Sequence, residues 1–308
     1  MMARMATLCT CIMALCLPVL HSCGQQYDTS STFNVPVQLD AVTISSGFDV
    51  QAFIRRVRTD TTFYKAFRSM HLVPYRAIND MQVYSKGGGT AATYHSITRQ
   101  HIANHCRTMT VEEQQATGDF YGRKGNYNYY TAELFASLFF TQGQVCNEDD
   151  IVAGNLVQQG SGQMEKHKYE LKQLIFNPGS HISGIPFMGD KASIFDAGEA
   201  EKYDFRISRE QYRGEDCFVF RIRPRKGYER KVVYNELTTW FRKSDYSIVA
   251  RDYSVSYSTW VYDFDVHMRV LTTVLDGKLY PTYIAYDGNW HVFSKARERV
   301  RFTVNVTY

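Results

Sequence analysis

Eight residues near the C-terminus alternate polar and apolar side chains without exception, and they read Asp263-Phe264-Asp265-Val266-His267-Met268-Arg269-Val270. Successive side chains of a β-strand point to opposite faces of its sheet, so this pattern predicts a strand with one solvated and one buried face. Such a strand indicates an antiparallel sheet, because parallel strands are buried on both faces and form continuous apolar runs.

The same period of two recurs on both sides of this run. Apolar residues hold alternate positions in three further stretches, namely Phe218, Phe220 and Ile222; Tyr253, Val255 and Tyr257; and Val300, Phe302, Val304, Val306 and Tyr308. In the last stretch, we expect Val304 and Val306 to face the core and Thr303 and Asn305 to face water. Residues 203–308 therefore predict an antiparallel meander.

Turn signals separate several of these runs. Asp276-Gly277 and Asp287-Gly288 are the kind of dipeptide that forms tight hairpins between strands. Nearer the N-terminus, a short predicted strand at 77–84 is followed by Lys86-Gly87-Gly88-Gly89, which predicts a flexible turn.

The first half of the chain has helical periodicity instead. Apolar residues of 48–70 share one helical face, with a break expected at Asp60. Thr131 is predicted to cap a second helix, and Thr110-Val111-Glu112-Glu113 has the form of a capping box. Residues 164–176 predict one more helix, which Asn177-Pro178-Gly179 would end.

The N-terminus predicts export. One arginine precedes an apolar run of about 15 residues, which suits a signal peptide and is short for a membrane span. The run ends in Leu20-His21-Ser22-Cys23, which resembles the lipobox of bacterial lipoproteins, in which the cysteine becomes the acylated N-terminus. Two acyl chains at Cys23 would give stable anchoring. Ordinary signal cleavage after Gly24 is the alternative.

Three cysteines remain in the mature chain. Cys106 and Cys146 are the most plausible disulfide in an oxidising envelope, and Cys217 would then stay free. The alternative is that all three are small buried hydrophobic residues. The sequence leaves both interpretations open.

The composition favours a folded sheet protein without nucleic-acid binding. The chain has 22 Tyr and 19 Phe, and aromatic side chains suit half-buried sheet surfaces. Basic and acidic residues number 35 and 31 and are interspersed, so no basic tract indicates a nucleic-acid partner.

Signatures of catalysis are absent from the sequence. It contains no HExxH, no G-x-S-x-G and no phosphate-binding glycine loop. His101 and His105 could share a metal ion if they lay on a helix, but two more ligands would be needed. Glu236, near Trp240, could be an acid in a cleft, and a glycosidase would need a second carboxylate. We therefore predict no enzyme, no cofactor and no metal.

Several segments resemble a known family. The marks are Arg223-Pro224-Arg225-Lys226, then Thr239-Trp240-Phe241-Arg242-Lys243 leading into Ser244-Asp245-Tyr246-Ser247-Ile248-Val249, and Tyr286-Asp287-Gly288-Asn289-Trp290 as a closing hairpin. This part is similar to the LolA/LolB-like lipoprotein carriers. The segment 184–191 is also typical of exported lipoproteins of Bacteroides-type bacteria. The resemblance implies an incomplete barrel plugged by helices that holds acyl chains.

These inferences combine into one expected architecture. We predict an α+β fold with N-terminal helices packed on a large curved antiparallel sheet, an incomplete barrel similar to LolA and LolB. The expected organisation is a signal peptide at 1–22, a lipid-anchored tether at 23–42 and a single domain at 43–308.

The expected function is binding rather than catalysis. We predict a non-catalytic lipoprotein of the cell envelope that lies in the outer membrane, faces the periplasm and binds an apolar or lipidic ligand. Ile185, Phe187 and Met188 lie between two glycines and are the predicted ligand contacts. The alternative is a structural or protein-interaction lipoprotein with a filled core and no ligand cavity. Partner proteins are not indicated.

Overall fold

The computed structural model describes residues 33–39, 48–150, 176–179, 190–259, 262–292 and 296–308. Its helices are α1 (Val50–Thr59), α2 (Thr62–Ser69), α3 (Tyr130–Phe139) and α4 (Ala197–Ala200). Its strands are β1 (Val37–Leu39), β2 (Tyr75–Tyr84), β3 (Thr90–Ala103), β4 (Cys106–Gly118), β5 (Val145–Cys146), β6 (Tyr203–Tyr212), β7 (Glu215–Pro224), β8 (Tyr234–Arg242), β9 (Ile248–Ser258), β10 (Tyr262–Leu275), β11 (Lys278–Val292) and β12 (Glu298–Thr307).

All of these strands belong to one open sheet in the order β1-β6-β7-β8-β9-β10-β11-β12-β2-β3-β4-β5. The meander predicted from the sequence is confirmed, since β6 to β12 are consecutive antiparallel neighbours. The sheet extends further than predicted because β2 pairs with β12 and brings β3 and β4 with it. At the other edge β1, which lies inside the predicted tether, pairs with β6 in parallel.

One of the two Asp-Gly predictions is confirmed and the other is wrong. Asp276 and Gly277 form the β10–β11 turn with φ of 48° and 73°, as a tight hairpin requires. Gly288, however, lies inside β11, opposite Val266 on one side. A Cβ at Gly288 would lie 2.0 Å from the hydroxyl oxygen of Tyr286, so glycine is needed here because a neighbouring ring crosses the backbone.

The predicted N-terminal helix with a break near Asp60 is confirmed as α1 and α2. Asp49 caps α1 by accepting a hydrogen bond from the Ala52 N–H at 2.9 Å. The buried face of α1 includes Phe53, whose ring centroid is 5.4 Å from that of Phe241 on β8. In the part of the chain that the structure describes, no helix has both the length and the apolar character of a membrane span.

The helix predicted to begin near Thr131 is α3, although its N-terminus is held by a distant residue. The Glu298 carboxylate accepts hydrogen bonds from the Tyr130 N–H at 2.7 Å and from the Thr131 N–H and hydroxyl at 2.9 Å. An acceptor carboxylate at this position satisfies free N–H groups and favours the helix dipole.

The helix start predicted at 110–113 is wrong, because these residues lie in β4. Glu112 is the extra residue of a bulge opposite Ile97 and Thr98. Its carboxylate accepts hydrogen bonds from the Nε atoms of Arg76 at 2.7 Å and Arg99 at 2.6 Å. These two bonds lower the pKa of Glu112. Of the helix predicted at 164–176, only Phe176 lies within the described residues.

The two faces of the sheet differ as the alternation predicts. Val304 and Val306 are buried, Thr303 is half-buried and Asn305 is exposed. The opposite, outer face carries ion pairs between neighbouring strands. One of them joins Asp252 to His267 at 2.7 Å, and this hydrogen bond raises the pKa of His267.

A disulfide joins Cys106 to Cys146 and closes a sequence separation of 40 residues. This confirms the disulfide that the sequence left open. Cys217 is the free cysteine of the described chain, and burial raises the pKa of its thiol to about 11. A buried thiol with a raised pKa is a poor nucleophile.

Three consecutive carboxylates after β5, here called the carboxylate clasp (Glu148, Asp149 and Asp150), bind three different elements. Glu148 pairs with Arg107 and with His71 at 3.3 Å, Asp149 pairs with Arg68 at 3.1 Å, and Asp150 pairs with Lys278 at 2.8 Å. Hydrogen bonding to His71 is the largest cause that lowers the pKa of Glu148 to about 2. The clasp thus joins β4, α2 and β11.

Candidate functional site

Side chains from α1 and α2 fill the face of the sheet that they cover. Ile54 on α1, Phe63 on α2 and Phe220 on β7 are each at most 1% exposed. Such close packing is typical of protein interiors. Among the described residues, these three side chains therefore belong to the packed interior between the helices and the sheet.

A buried cation belongs to this filled region. Arg251 on β9 is 7% exposed, and its Nε donates to the Thr239 hydroxyl at 3.0 Å. Its guanidinium carbon lies 4.2 Å from the centroid of the Phe63 ring, a cation–π arrangement. Burial lowers the pKa of Arg251. Because the Phe63 ring lies over the guanidinium, Arg251 helps to pack α2 on the sheet.

An open cleft lies where the start of α1 meets the beginning of β7 and the end of β8. Its volume is about 450 Å³, within the range that small-molecule sites occupy. The residues that line it are Phe48, Asp49, Ala52, Phe53, Arg56, Phe218, Lys243 and Tyr246. We call it the aromatic cleft.

Four rings form its apolar wall. The centroid of Phe218 lies 4.8 Å from that of Phe48, 6.1 Å from that of Phe53 and 5.8 Å from that of Tyr246. These separations are typical of interacting aromatic pairs. The wall is thus a continuous aromatic surface that packs on itself and leaves one side open.

The β8–β9 turn positions Tyr246 by an uncommon backbone conformation. Tyr246 has φ of 60°, in the left-handed region, which costs a non-glycine residue about 1–2 kcal/mol. Its N–H donates to the Arg242 carbonyl at 2.8 Å, and the Asp245 carboxylate accepts from the Ser247 N–H at 2.9 Å. These bonds hold the turn and direct the Tyr246 ring to the cleft.

The polar edge of the aromatic cleft has more basic side chains than acidic ones. The Arg56 guanidinium lies 4.8 Å from the Tyr246 ring centroid and donates to the Asp245 carbonyl at 3.3 Å. Lys243 is exposed and lies 3.7 Å from Asp216. The acidic residue of the cleft lining is Asp49, whose carboxylate caps the N-terminus of α1. An apolar wall beside two cations suits an amphiphile with an anionic head group.

The predicted site residues cannot be placed relative to this cleft, because Ile185, Phe187 and Met188 lie outside the described residues, as does Cys23. The described residues that line the aromatic cleft come from 48–56, 218 and 243–246. Sequence reasoning missed the cleft, because the aromatic residues at the start of the first helical segment do not show which distant rings they meet.

The other candidate side chains have structural surroundings. His101 is on β3, with its Nε2 3.1 Å from the Thr110 hydroxyl, and His105 is in the β3–β4 turn, so the two do not share a helix. Glu236 is paired with Arg223 at 2.8 Å on the outer face. Within the described ranges, no group of three metal-ligating side chains converges.

No protein-family model and no curated protein matches this sequence. Among solved structures, the chain is similar to an outer membrane lipoprotein-sorting protein domain from Vibrio parahaemolyticus, with 11% identity, a TM-score of 0.26, and coverage of 78% of this chain and 87% of that one. A DUF1329 family protein from Desulfovibrio piger has 13% identity and a TM-score of 0.23, with 82% and 88% covered. A LolA superfamily protein from Nitrosomonas europaea has 10% identity and a TM-score of 0.23, with 80% and 90% covered.

At such TM-scores the three structures superpose poorly on this chain.

Proposed function

We propose that this protein is a non-catalytic lipoprotein of the bacterial envelope that binds an apolar or lipidic ligand in the aromatic cleft. The observation that supports this proposal is the cleft itself, with about 450 Å³ beside four aromatic rings. The cations Arg56 and Lys243 at its rim favour a ligand whose head group is anionic. Binding would gain from the apolar area that the ligand buries, about 25 cal/mol per Å².

A substitution at Ala52 tests the cleft. Ala52 lines the cleft, is exposed and lies on α1, so a tryptophan there should fill the cleft without disturbing the core. We expect Ala52→Trp to weaken binding of a dansyl-labelled fatty acid at least about tenfold, a loss of about 1.4 kcal/mol. Fluorescence titration measures the affinity.

The matched control is Arg55→Trp, which adds the same side chain to an exposed position of α1 outside the cleft. This variant should bind the probe like the unaltered chain, and both variants should keep the melting temperature. Equal affinities of the two tryptophan variants would place the ligand elsewhere, and no probe binding by any of the three proteins would contradict the proposal.

The filled core supports a second candidate function. Because α1 and α2 leave the sheet face closed at Ile54, Phe63 and Phe220, a structural or protein-interaction lipoprotein is consistent with the structure. In that case the aromatic cleft would take no ligand. The titration above separates the two functions.

The envelope location and the anchor are part of the proposal and have their own test. If Cys23 is acylated, metabolic labelling with an alkyne fatty acid should mark the protein, and Cys23→Ser should lose the label and remain uncleaved. Equal labelling of the two proteins would exclude Cys23 as the anchor. The proposed outer-membrane position facing the periplasm requires this anchor.

A further inference from the structure

Antiparallel pairing brings three loops to the same end of the sheet. β6 begins at this end, and the connections β2–β3, β4–α3 and β7–β8 therefore all turn there. We give the name basic rim to five exposed cations of these loops, which are Lys86, Arg123, Lys124, Lys226 and Arg230. The aromatic cleft lies at the opposite end, where β8 ends and β9 begins.

The cations of the basic rim have no hydrogen-bonding or ion-pair partner among the residues that the structure describes. Other basic side chains at this end are engaged, since Arg225 pairs with Asp204 at 3.1 Å and Arg297 pairs with Asp263 at 2.7 Å. In the β7–β8 loop, the Glu229 carboxylate accepts a hydrogen bond from the Gly227 N–H at 2.9 Å. The basic rim thus carries positive charge that forms no ion pair within the described residues.

The β4–α3 loop presents its two cations at the tip of a small hairpin. Tyr121 and Tyr127 form a bridge, the Gly122 N–H donates to the Asn126 carbonyl at 2.8 Å, and the Gly125 N–H donates to the Gly122 carbonyl at 2.9 Å. Arg123 and Lys124 lie between these bonds and are exposed. The hairpin therefore holds the two cations away from the rest of the fold.

An exposed aromatic residue accompanies the cations of the β7–β8 loop. Tyr228 is 37% exposed, and Lys231 Nζ lies 5.1 Å from its ring centroid. Tyrosine is enriched at membrane–water interfaces, where its ring lies at the level of the head groups. Cations beside an exposed tyrosine are therefore suited to a lipid surface.

The start of the described fold lies near the same end of the sheet. Phe33 packs on Phe205, near the beginning of β6, with 5.1 Å between ring centroids, and on Phe195 at 6.2 Å. Cys23 is ten residues earlier in the chain, and ten residues span at most about 35 Å. An anchor at Cys23 would keep this end of the sheet close to a bilayer.

We propose that the basic rim docks on the anionic phospholipid head groups of the membrane to which the protein is anchored. The orientation of the protein at the membrane rests on the Cys23 anchor of the proposed function, whereas binding to the head groups requires only the basic rim. Docking at this end would leave the aromatic cleft facing away from the membrane. Each Lys or Arg close to an anionic surface strengthens binding about fivefold, and salt weakens this attraction.

Vesicle co-sedimentation tests the docking without the anchor. The chain from Gly24 onward retains every described residue, and it should bind phosphatidylglycerol vesicles at low salt but not phosphatidylcholine vesicles. The variant R123Q/K124Q/K226Q should bind on the order of 100-fold more weakly, because three cations are lost. High salt should abolish the binding of the unaltered chain.

The matched control is R55Q/K65Q/R213Q, which removes the same charge from α1, α2 and the β6–β7 turn. It should bind phosphatidylglycerol vesicles within about threefold of the unaltered chain, since these cations lie away from the rim. Equal weakening of both variants would show that net charge alone acts, and failure of the unaltered chain to bind would overturn the proposal. Fatty-acid binding in the cleft is measured separately and should be the same in the rim variant.

Discussion

Val304→Asp should prevent the chain from accumulating as a folded protein. Val304 is 1% exposed and lies opposite Ile284 on β11 and Asn79 on β2. Its neighbours on the core face carry no charge, so the new carboxylate would be buried without a cation. An uncompensated buried charge costs about 3–5 kcal/mol or more, which is a large part of the 5–15 kcal/mol that stabilises a typical domain.

Asn305→Asp is the matched control, because Asn305 is the next residue of β12 and is exposed. Thr303 is less suitable, since it lies opposite Asp80 and a carboxylate there would add a like charge. Soluble yield and the urea midpoint should fall for Val304→Asp and stay unchanged for Asn305→Asp. Equal yields and midpoints for the two variants would mean that the register of β12 is wrong.

Removal of the Cys106–Cys146 disulfide should lower the free energy of unfolding by about 4 kcal/mol. The disulfide closes a separation of 40 residues, and the loss of chain entropy in the unfolded state is of this size for such a loop. The enclosed segment contains β4 and α3, and Cys146 leads directly into the carboxylate clasp. We expect Cys106→Ala/Cys146→Ala to show this loss in urea denaturation.

Cys217→Ala controls for the loss of a cysteine that forms no disulfide. Cys217 is fully buried, so the small cavity in Cys217→Ala should lower the free energy of unfolding by about 1 kcal/mol. Addition of a reductant should not change the difference in free energy of unfolding between this variant and the unaltered chain. If the double variant has the same urea midpoint as the unaltered chain, the disulfide does not stabilise the fold in solution.

The part of the fold that the sequence predicted well is the part in which alternation and burial agree. In residues 263–270 of β10 and in β12, each apolar residue faces the core, and the pattern therefore fixes both the strand and its orientation. Helix α1 was predictable for the same reason, since Phe53, Ile54 and Val57 share one face.

Local signals failed where a distant contact overrides them. Gly288 is required within β11 by the close ring of Tyr286 rather than by a turn, and the sequence gives no sign of that close approach. Glu112 lies in β4, which pairs with β3 along its length, and its carboxylate binds Arg76 of β2 and Arg99 of β3. A capping box and a strand bulge cannot be distinguished without knowing which strands pair.

The aromatic cleft was not predictable because its residues are far apart in the chain. Phe48 and Phe218 are separated by 170 positions, and their rings meet only because the start of α1 packs on the beginning of β7. Tyr246 joins them through the left-handed backbone of a turn, which a tyrosine in the sequence does not signal.

Native mass spectrometry tests whether the protein binds a lipidic ligand in the aromatic cleft. The chain from Gly24 onward, exported to the periplasm by a cleavable signal peptide and purified without added lipid, carries no covalent acyl group that could be mistaken for a ligand. We expect a non-covalent adduct with the mass of a lipid on this chain and on Arg55→Trp, and no such adduct on Ala52→Trp. The bare polypeptide mass for all three proteins, or the same adduct on all three, would contradict it.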